Sequence, residues 1–508
     1  MLSIKTDMLV IGGGINGSGV AVDAAGRGLN VVLCEANDLA SATSSASTKL
    51  VHGGLRYLEQ YEFKLVRESL KEREVLLNKA SHIIQPLRFV LPHEKHLRPI
   101  CIIRIGLFLY DFLAGKMRLK KSRKITLTST SIEGKPLKEK FKKGFTYSDC
   151  RIDDSRMVVL NAIQAEELGA KILTHTKLIS AKRVGDRWEA ILINDKSQKL
   201  IVNTSIIINA AGPWVADLIK NKLETKTISN VRLIKGSHIV IPKLYDGDHA
   251  YILQNKDNRI IFAIPYGFTG FNDNEFTCIG TTDVSYNGDP ANVKISNDEI
   301  QYLCNSINNY FEKEITAEDI IWEWSGVRPL YDDDSDDPAK NTREYHLEKE
   351  DSNGKGLLLS IFGGKITTFR KLSEKVLEEV EKYHPFTKSA WTAKTQSPGS
   401  DPNGLNHIFH DLKQDYSWVD NKLLFRWAST YGLRTRSILK GVFSYEDLGI
   451  NFGYNLYEKE VIYLINREWA RELDDILFRR TKVGLWLKKN EKLHLSEWLA
   501  VYTRKNDI

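Results

Sequence analysis

The segment Asp7-Met-Leu-Val-Ile-Gly12-Gly13-Gly14-Ile15-Asn16-Gly17 limits the chain to few folds. The apolar run reads as a buried strand, the glycines as a tight turn, and the small residues beyond as a helix lying close on that strand. Gly12 permits the turn, Gly14 lets the backbone approach a pyrophosphate, and Gly17 lets helix and strand touch. The free N–H groups at the helix start, with Asn16 among them, suit phosphate. A second strand, residues 30–35, ends in Glu35, where an acid would take the two hydroxyls of a ribose. Strand, turn, helix, strand and acid in register predict a dinucleotide site on a parallel α/β sheet.

Two later segments extend that site. Residues 206–214 run as a strand into Ala210, Ala211, Gly212 and Trp214, and residues 359–367 run into Gly363, Gly364, Lys365, Ile366 and Thr367. Three strand ends built from small residues can enclose a long extended cofactor, which favours FAD over a nicotinamide dinucleotide. The run from Ala40 to Arg56 follows the ribose-binding acid and is rich in small hydroxyl donors. Ala36, Ser41, Thr43, Ser44, Ser45, Ser47, Lys49 and Gly54 therefore join the expected cofactor set, with Leu178 beside them.

The rest of the chain reads as an ordinary globular protein, 42% hydrophobic and 27% charged over 508 residues. Its five cysteines are scattered without a C-x-x-C pair, so a disulfide framework or zinc site is not expected and a reducing compartment is. The acidic run Asp332 to Asp337 lacks the glycine that a calcium loop needs at its sixth position, and no metal site is predicted. No secretory leader is apparent before the first strand. Residues 99–115 form the most apolar stretch, but Arg104 and Asp111 interrupt it and it is shorter than the ~20 residues of a membrane-spanning helix. Directly after it, residues 116–143 hold eleven basic residues against two acidic ones, so the net charge of +7 is local and asks for a local anionic partner. That window contains one aromatic residue, Phe141, and so lacks a stacking platform for single-stranded nucleic acid. A flavin-containing nucleic-acid-binding protein is the remote alternative, and no nucleic-acid partner is expected.

Taken in order, the segments VIGGGINGSGVAVDAAGRGL, ATSSASTKLVHGGLRYLE, RLIKGSHIVIP, IGTTDVSYNGDP, WSGVRPL and SIFGGKITTFRKL resemble the FAD-dependent glycerol-3-phosphate dehydrogenases of the aerobic bacterial type. The similarity runs from Asp7 into the C-terminal region. It implies a D-amino-acid-oxidase-like FAD-binding fold with a β-rich substrate cap and a C-terminal helical domain. On that reading the FAD-binding part comprises residues 1–75, 151–229 and 346–385. A membrane-facing cap insertion occupies 76–150, the β-rich cap 230–345 and the helical domain 386–508.

The resemblance also implies the chemistry: oxidation of sn-glycerol 3-phosphate to dihydroxyacetone phosphate by hydride transfer to FAD, with electrons passed to a membrane quinone. It places Arg56, Arg328 and Arg343 near the substrate, with Tyr57 beside the first, and Lys365 near the flavin. A phosphate dianion suits the planar fork of arginine. The hydroxyl being oxidised needs a base, for which His52 and His238 both qualify. An oxidase that passes electrons from glycerol 3-phosphate or an amino acid to oxygen is the alternative within enzymes. Because the implied acceptor lies in the bilayer, residues 99–143 are the expected docking surface for anionic lipid. The protein is then cytoplasmic and peripherally attached to the inner face of the cell membrane. Homodimerisation and membrane support are both open roles for the helical domain.

Overall fold

The computed structural model describes residues 2–115, 117–225, 230–267, 275–331, 345–386 and 388–506. At its centre strand Leu2–Ile11 lies between strands Lys199–Asn209 and Val31–Cys34, parallel to both. Strand Lys355–Phe362 extends the parallel sheet beyond Lys199–Asn209, and Lys171–Leu173 extends it beyond Val31–Cys34. These strands read as continuous apolar runs because both of their faces are covered. Helices Ile15–Gly26, Asp154–Glu167 and Phe369–Val380 pack together on one face. On the other face lies an antiparallel layer of strands Thr176–Val184 and Arg187–Asn194, whose buried Trp188 donates from its indole to Gly356 O at 2.9 Å. Apolar and polar residues alternate between 171 and 210, and the antiparallel pairing that such a period suggests is found for residues 176–204, whereas 171–173 and 206–209 belong to the parallel sheet.

The β-rich cap is a single ten-stranded sheet whose strands come from two stretches of chain. Strands Ile84–Pro92 and Lys143–Ile152 pair antiparallel, and the first joins Ala250–Gln254 of the later stretch in parallel. Strands Val231–Pro242 and Trp322–Tyr331 pair antiparallel along their length, with Ile234 opposite Arg328, Gly236 opposite Gly326 and His238 opposite Trp324. Side chains alternate faces along a strand, so all six share one face, and that face looks toward the nucleotide-binding sheet. A charged amphipathic helix spans Phe63–Lys79 and straddles the two sheets. Leu65 and Leu70 sit in the cap core, while Leu76 sits in the FAD-region core.

The C-terminal part is helical with its own core, centred on Trp427, Tyr431 and Leu464. Within it Arg426, Trp427 and Tyr431 all donate to the buried carboxylate of Glu460, at 2.6, 2.9 and 2.7 Å. It is fastened to the rest by buried ion pairs. Arg156 of helix Asp154–Glu167 donates both Nη atoms to Glu468, and Arg480 grips Asp38, three residues beyond Glu35.

Candidate active site

A cavity of about 680 Å³ runs along the strand ends, between the parallel sheet and the cap. At one end the turn after strand Leu2–Ile11 takes the shape its glycines require. Gly12 has φ +111°, and a Cβ there would stand 2.5 Å from Ala210 O. A Cβ on Gly17 would stand 1.9 Å from Gly12 O, so this glycine brings helix and turn together and does not itself line the cavity. Glu35 lies across from the turn and accepts from Gly13 N at 2.6 Å and Asn37 N at 2.8 Å. Burial raises its pKa against the pull of those two donors. Between these points and the helix start, the backbone and a carboxylate are set out as a pyrophosphate and a ribose require.

All three glycine turns meet at this cavity. Asn16 Nδ2 donates to Gly363 O at 3.0 Å, tying the first helix to the third turn. The Ser/Thr run folds over the cavity, with Thr43 Oγ1 bound to Val327 O of the cap at 2.7 Å and Ser44 Oγ accepting from Ile15 N at 2.9 Å. Gly14, Ala36, Ser41, Ser47, Leu178, Ala210, Ala211, Gly212, Trp214, Gly364, Ile366 and Thr367 complete the expected wall. A cradle cleared of Cβ atoms at one end, leading into a long channel, fits the pyrophosphate and extended body of FAD.

Besides Gly17, three residues expected beside the cofactor take other places. Lys49 turns away, and its ammonium donates to Asp154 Oδ1 and Oδ2 at 2.9 Å and to Ser45 O at 2.8 Å. Ser45 Oγ is engaged locally with Ala42 O. Gly54 has φ +74° and caps the turn Leu55–Leu58 from behind, against the ring of Tyr57.

The other end of the cavity gathers Tyr57, His52, Lys365, His238 and Arg328. The Lys365 ammonium lies 3.9 Å from the centre of the Tyr57 ring. His52 is joined to the third turn through its N–H to Thr367 Oγ1 at 3.3 Å. His238 is buried, stacked on Trp324 at 5.0 Å, with Nε2 at 3.0 Å from Thr48 Oγ1. Burial, then the positive charges of Lys49 and Arg328, push its pKa down to about 3, so the imidazole is neutral. Arg328 is braced by Asp283 at 3.1 Å, and the absence of a side chain at Gly236 leaves room for its Nη2. Arg56 shares a turn with Tyr57 but is not part of the cavity wall. Arg343 falls outside the described residues, as do Lys116 and the acidic run 332–337.

Residues 7–370 match the family described as FAD dependent oxidoreductase, and residues 390–502 match the C-terminal domain of alpha-glycerophosphate oxidase. A glycerol-3-phosphate dehydrogenase of Pseudomonas aeruginosa is 50% identical over 97% of this chain and 94% of its own length. The chain belongs to the FAD-dependent glycerol-3-phosphate dehydrogenase family. A D-erythritol 1-phosphate dehydrogenase of Brucella abortus is also similar, at 46% identity over 97% of each chain. Among solved structures, the glycerol-3-phosphate dehydrogenase of Bacillus halodurans complexed with FAD covers 98% of this chain and 94% of its own, with TM-score 0.75 at 25% identity.

For a member of this dehydrogenase family, the residues that sequence reasoning missed are the supports of the reacting end. Thr48 fixes the His238 ring by its nitrogen and Trp324 fixes it by its face. Gly236 and Gly326 keep the cap strands free of side chains where they line the cavity, since a Cβ would meet Thr281 Oγ1 at 2.6 Å at the first and Ala46 Cβ at 2.7 Å at the second. Their alternation with His238 and Arg328 is present in the sequence, but only the pairing of 231–242 with 322–331 turns it into one surface.

Proposed function

We propose that this chain oxidises the secondary hydroxyl of sn-glycerol 3-phosphate to the ketone of dihydroxyacetone phosphate and passes the electrons to a membrane quinone. FAD, when bound, supplies the hydride acceptor. The observation that carries the reading is a single cavity joining a ribose- and phosphate-binding end to an end holding a guanidinium, an imidazole and an ammonium.

Arg328, held by Asp283, presents a fork to the phosphate dianion. His238 acts as the base for the hydroxyl proton. Its lone pair is available because burial keeps the ring neutral, and an arriving dianion opposes the cations that hold its proton affinity down. Lys365 stabilises the negative charge that develops on the substrate oxygen as that proton leaves.

Helix Ile100–Ala114 supports the membrane part of the reading. Its inner face buries Leu107, Tyr110 and Ala114, while Ile102, Ile105, Phe108 and Phe112 stand out on the other face. The two charges within the apolar run both reach Ser122, Arg104 at 2.9 Å and Asp111 at 2.6 Å, which gathers their charged ends at one place although Arg104 stays exposed. Exposed Arg118, Lys120, Lys121, Arg123 and Lys124 follow. An apolar helix face flanked by basic residues suits the surface of an anionic bilayer. Among the described residues no helix is long and apolar enough to cross one.

The deciding experiment is anaerobic reduction of the flavin absorbance, comparing sn-glycerol 3-phosphate, D-erythritol 1-phosphate, glycerol and glycine. Rapid bleaching by glycerol 3-phosphate alone supports the proposal. Preference for the four-carbon phosphate moves the substrate, and peroxide release in step with turnover in air makes the chain an oxidase.

A further inference from the structure

A second cavity, of about 110 Å³, shares Thr48 as a wall with the first and lies where the cap sheet meets the C-terminal helices. Its polar lining is mostly engaged. The Lys482 ammonium donates to Asp153 at 2.7 Å and Ser155 at 2.9 Å, Lys49 is paired with Asp154, and the hydroxyls of Ser429 and Thr430 donate to Arg426 O. Three groups differ. The Arg151 side chain is half-buried and faces the chamber, its guanidinium has no hydrogen-bond or ion-pair partner among the described residues, and partial loss of solvent pushes its pKa down to about 10 although Asp248 works against it. His82 is 1% exposed, holds Ser400 Oγ with Nδ1 at 2.9 Å, and has no partner for Nε2 among the described residues. The buried hydroxyl of Tyr266 has none either.

Buried polar groups in proteins are as a rule hydrogen-bonded, and a buried charge left unneutralised is costly. Here three groups able to donate, one of them a cation, line one small chamber. The charges around it do not cancel. Lys49 with Asp154 and Lys482 with Asp153 are neutral pairs, burial holds His82 uncharged with a pKa of about 3, and Arg151 remains, with the charge of Asp248 acting on it but no carboxylate in ion-pair contact among the described residues. Water can meet hydrogen bonds but not that charge. An apolar ligand would meet neither, and a metal cation would be repelled.

We propose that this chamber is a second binding site, for a small oxyanion of the size and charge of sulfate or inorganic phosphate. Arg151 supplies the countercharge, Tyr266 donates its hydroxyl, and His82 donates from Nε2 while Nδ1 accepts from Ser400. The site is too small for a nucleotide. Because its walls come from the cap sheet and from C-terminal residues Leu405 and Lys482, the anion sits at the seam of the two and bridges them.

The test is calorimetric titration of the FAD-loaded protein with sodium sulfate, at an ionic strength fixed with sodium chloride. It compares wild type, R151Q, Y266F and R328Q. The proposal expects saturable binding in wild type that survives in R328Q, weakens at least about tenfold in R151Q and weakens by a smaller factor in Y266F. Absence of saturable binding in wild type overturns it. So does binding that R328Q abolishes and R151Q leaves intact, because sulfate then occupies the cofactor-side cavity. Should R151Q not fold, Y266F decides, and an unchanged affinity there counts against the site. None of these outcomes depends on which alcohol the enzyme oxidises.

Discussion

Arg480 donates to both carboxylate oxygens of Asp38, each at 2.7 Å, across 442 residues of chain. Arg479 reaches the same carboxylate at 2.7 Å, and Arg480 also donates to Glu468 O. Asp38 lies three residues beyond Glu35, so the C-terminal helices brace the loop that follows the acid proposed to hold the ribose. Burial acts to raise the pKa of Asp38, but the two guanidiniums outweigh it and hold the carboxyl below its ordinary range. Replacing Arg480 by Met is expected to cost about 3–5 kcal/mol, because it leaves a buried carboxylate short of its main counter-ion. A depressed pKa stabilises fully above the unfolded value of about 3.9, and the contribution fades as pH falls through the folded value. The gap between R480M and wild type in urea unfolding should therefore be widest near neutrality and narrow with acid. R480M should also lose flavin more readily on dialysis.

Gly12→Ala should yield protein that retains little flavin. The added methyl meets Ala210 O at 2.5 Å in a backbone conformation that L side chains resist. Strain of about 1–3 kcal/mol at the cradle weakens cofactor binding roughly ten- to hundredfold. Gly28→Ala is the control, since φ there is +94° but no atom lies within 4 Å of the new methyl. It should lower stability modestly and leave the ratio of flavin to protein absorbance unchanged.

His238→Asn should keep its flavin and lose about 10²- to 10⁴-fold in the rate of anaerobic bleaching, the range for removing a general base. Thr48→Ala tests the support alone. Losing the partner of Nε2 should slow bleaching by roughly tenfold with little change in substrate affinity. A bleaching rate in His238→Asn equal to wild type, with His52→Asn the slower variant, would transfer the role to His52.

Arg328→Lys keeps the charge but loses the fork. The expected result is a fall in kcat/KM of roughly ten- to hundredfold, expressed mainly in KM. Asp283→Asn should act in the same direction and more weakly, through the aim of Arg328. Steady-state kinetics with a soluble dye as acceptor separates both effects from any change in membrane contact.

Replacing Phe108 and Phe112 by Ser should reduce sedimentation with anionic liposomes several-fold, while dye-linked activity in detergent-free buffer stays near wild type. Phe112 is 71% exposed and Phe108 59%, so neither supports the core. Binding that is insensitive to salt, to lipid charge and to these substitutions would remove this face from consideration.

The cofactor half of the site was legible because it depends on local chemistry. A glycine turn after a strand, an acid at the end of the next strand and small residues at two later strand ends each carry their meaning within about ten residues. The reacting half was legible as residue types but not as geometry. His238 and Arg328 acquire a common surface only through a pairing that joins residues 231–240 to 322–331. Lys49 shows the opposite failure. Its neighbours suggest a cofactor ligand, yet its partner Asp154 lies 105 residues away, and nothing local announces it. The same holds for Asp38, whose carboxyl reads as an ordinary loop acid until Arg479 and Arg480 are brought to it. The apolar helix at 100–114 was visible as a run, but its one-sided exposure depends on the packing that buries Leu107, Tyr110 and Ala114.

The central strand has a consequence for how the molecule is made. Leu2–Ile11 is made well before its partners: one of its two neighbours in the sheet begins at Lys199, and the next strand outward begins at Lys355. At ordinary rates of synthesis, roughly 5–20 residues per second, the growing chain waits on the order of ten seconds for the first and longer for the second. During that interval the nucleotide turn is already made but its far walls do not exist. The walls of the cofactor cavity are therefore complete only once residues up to Thr367 have been made. Until then a bare apolar strand edge needs shielding, and a strand made early is among the last to reach its final surroundings.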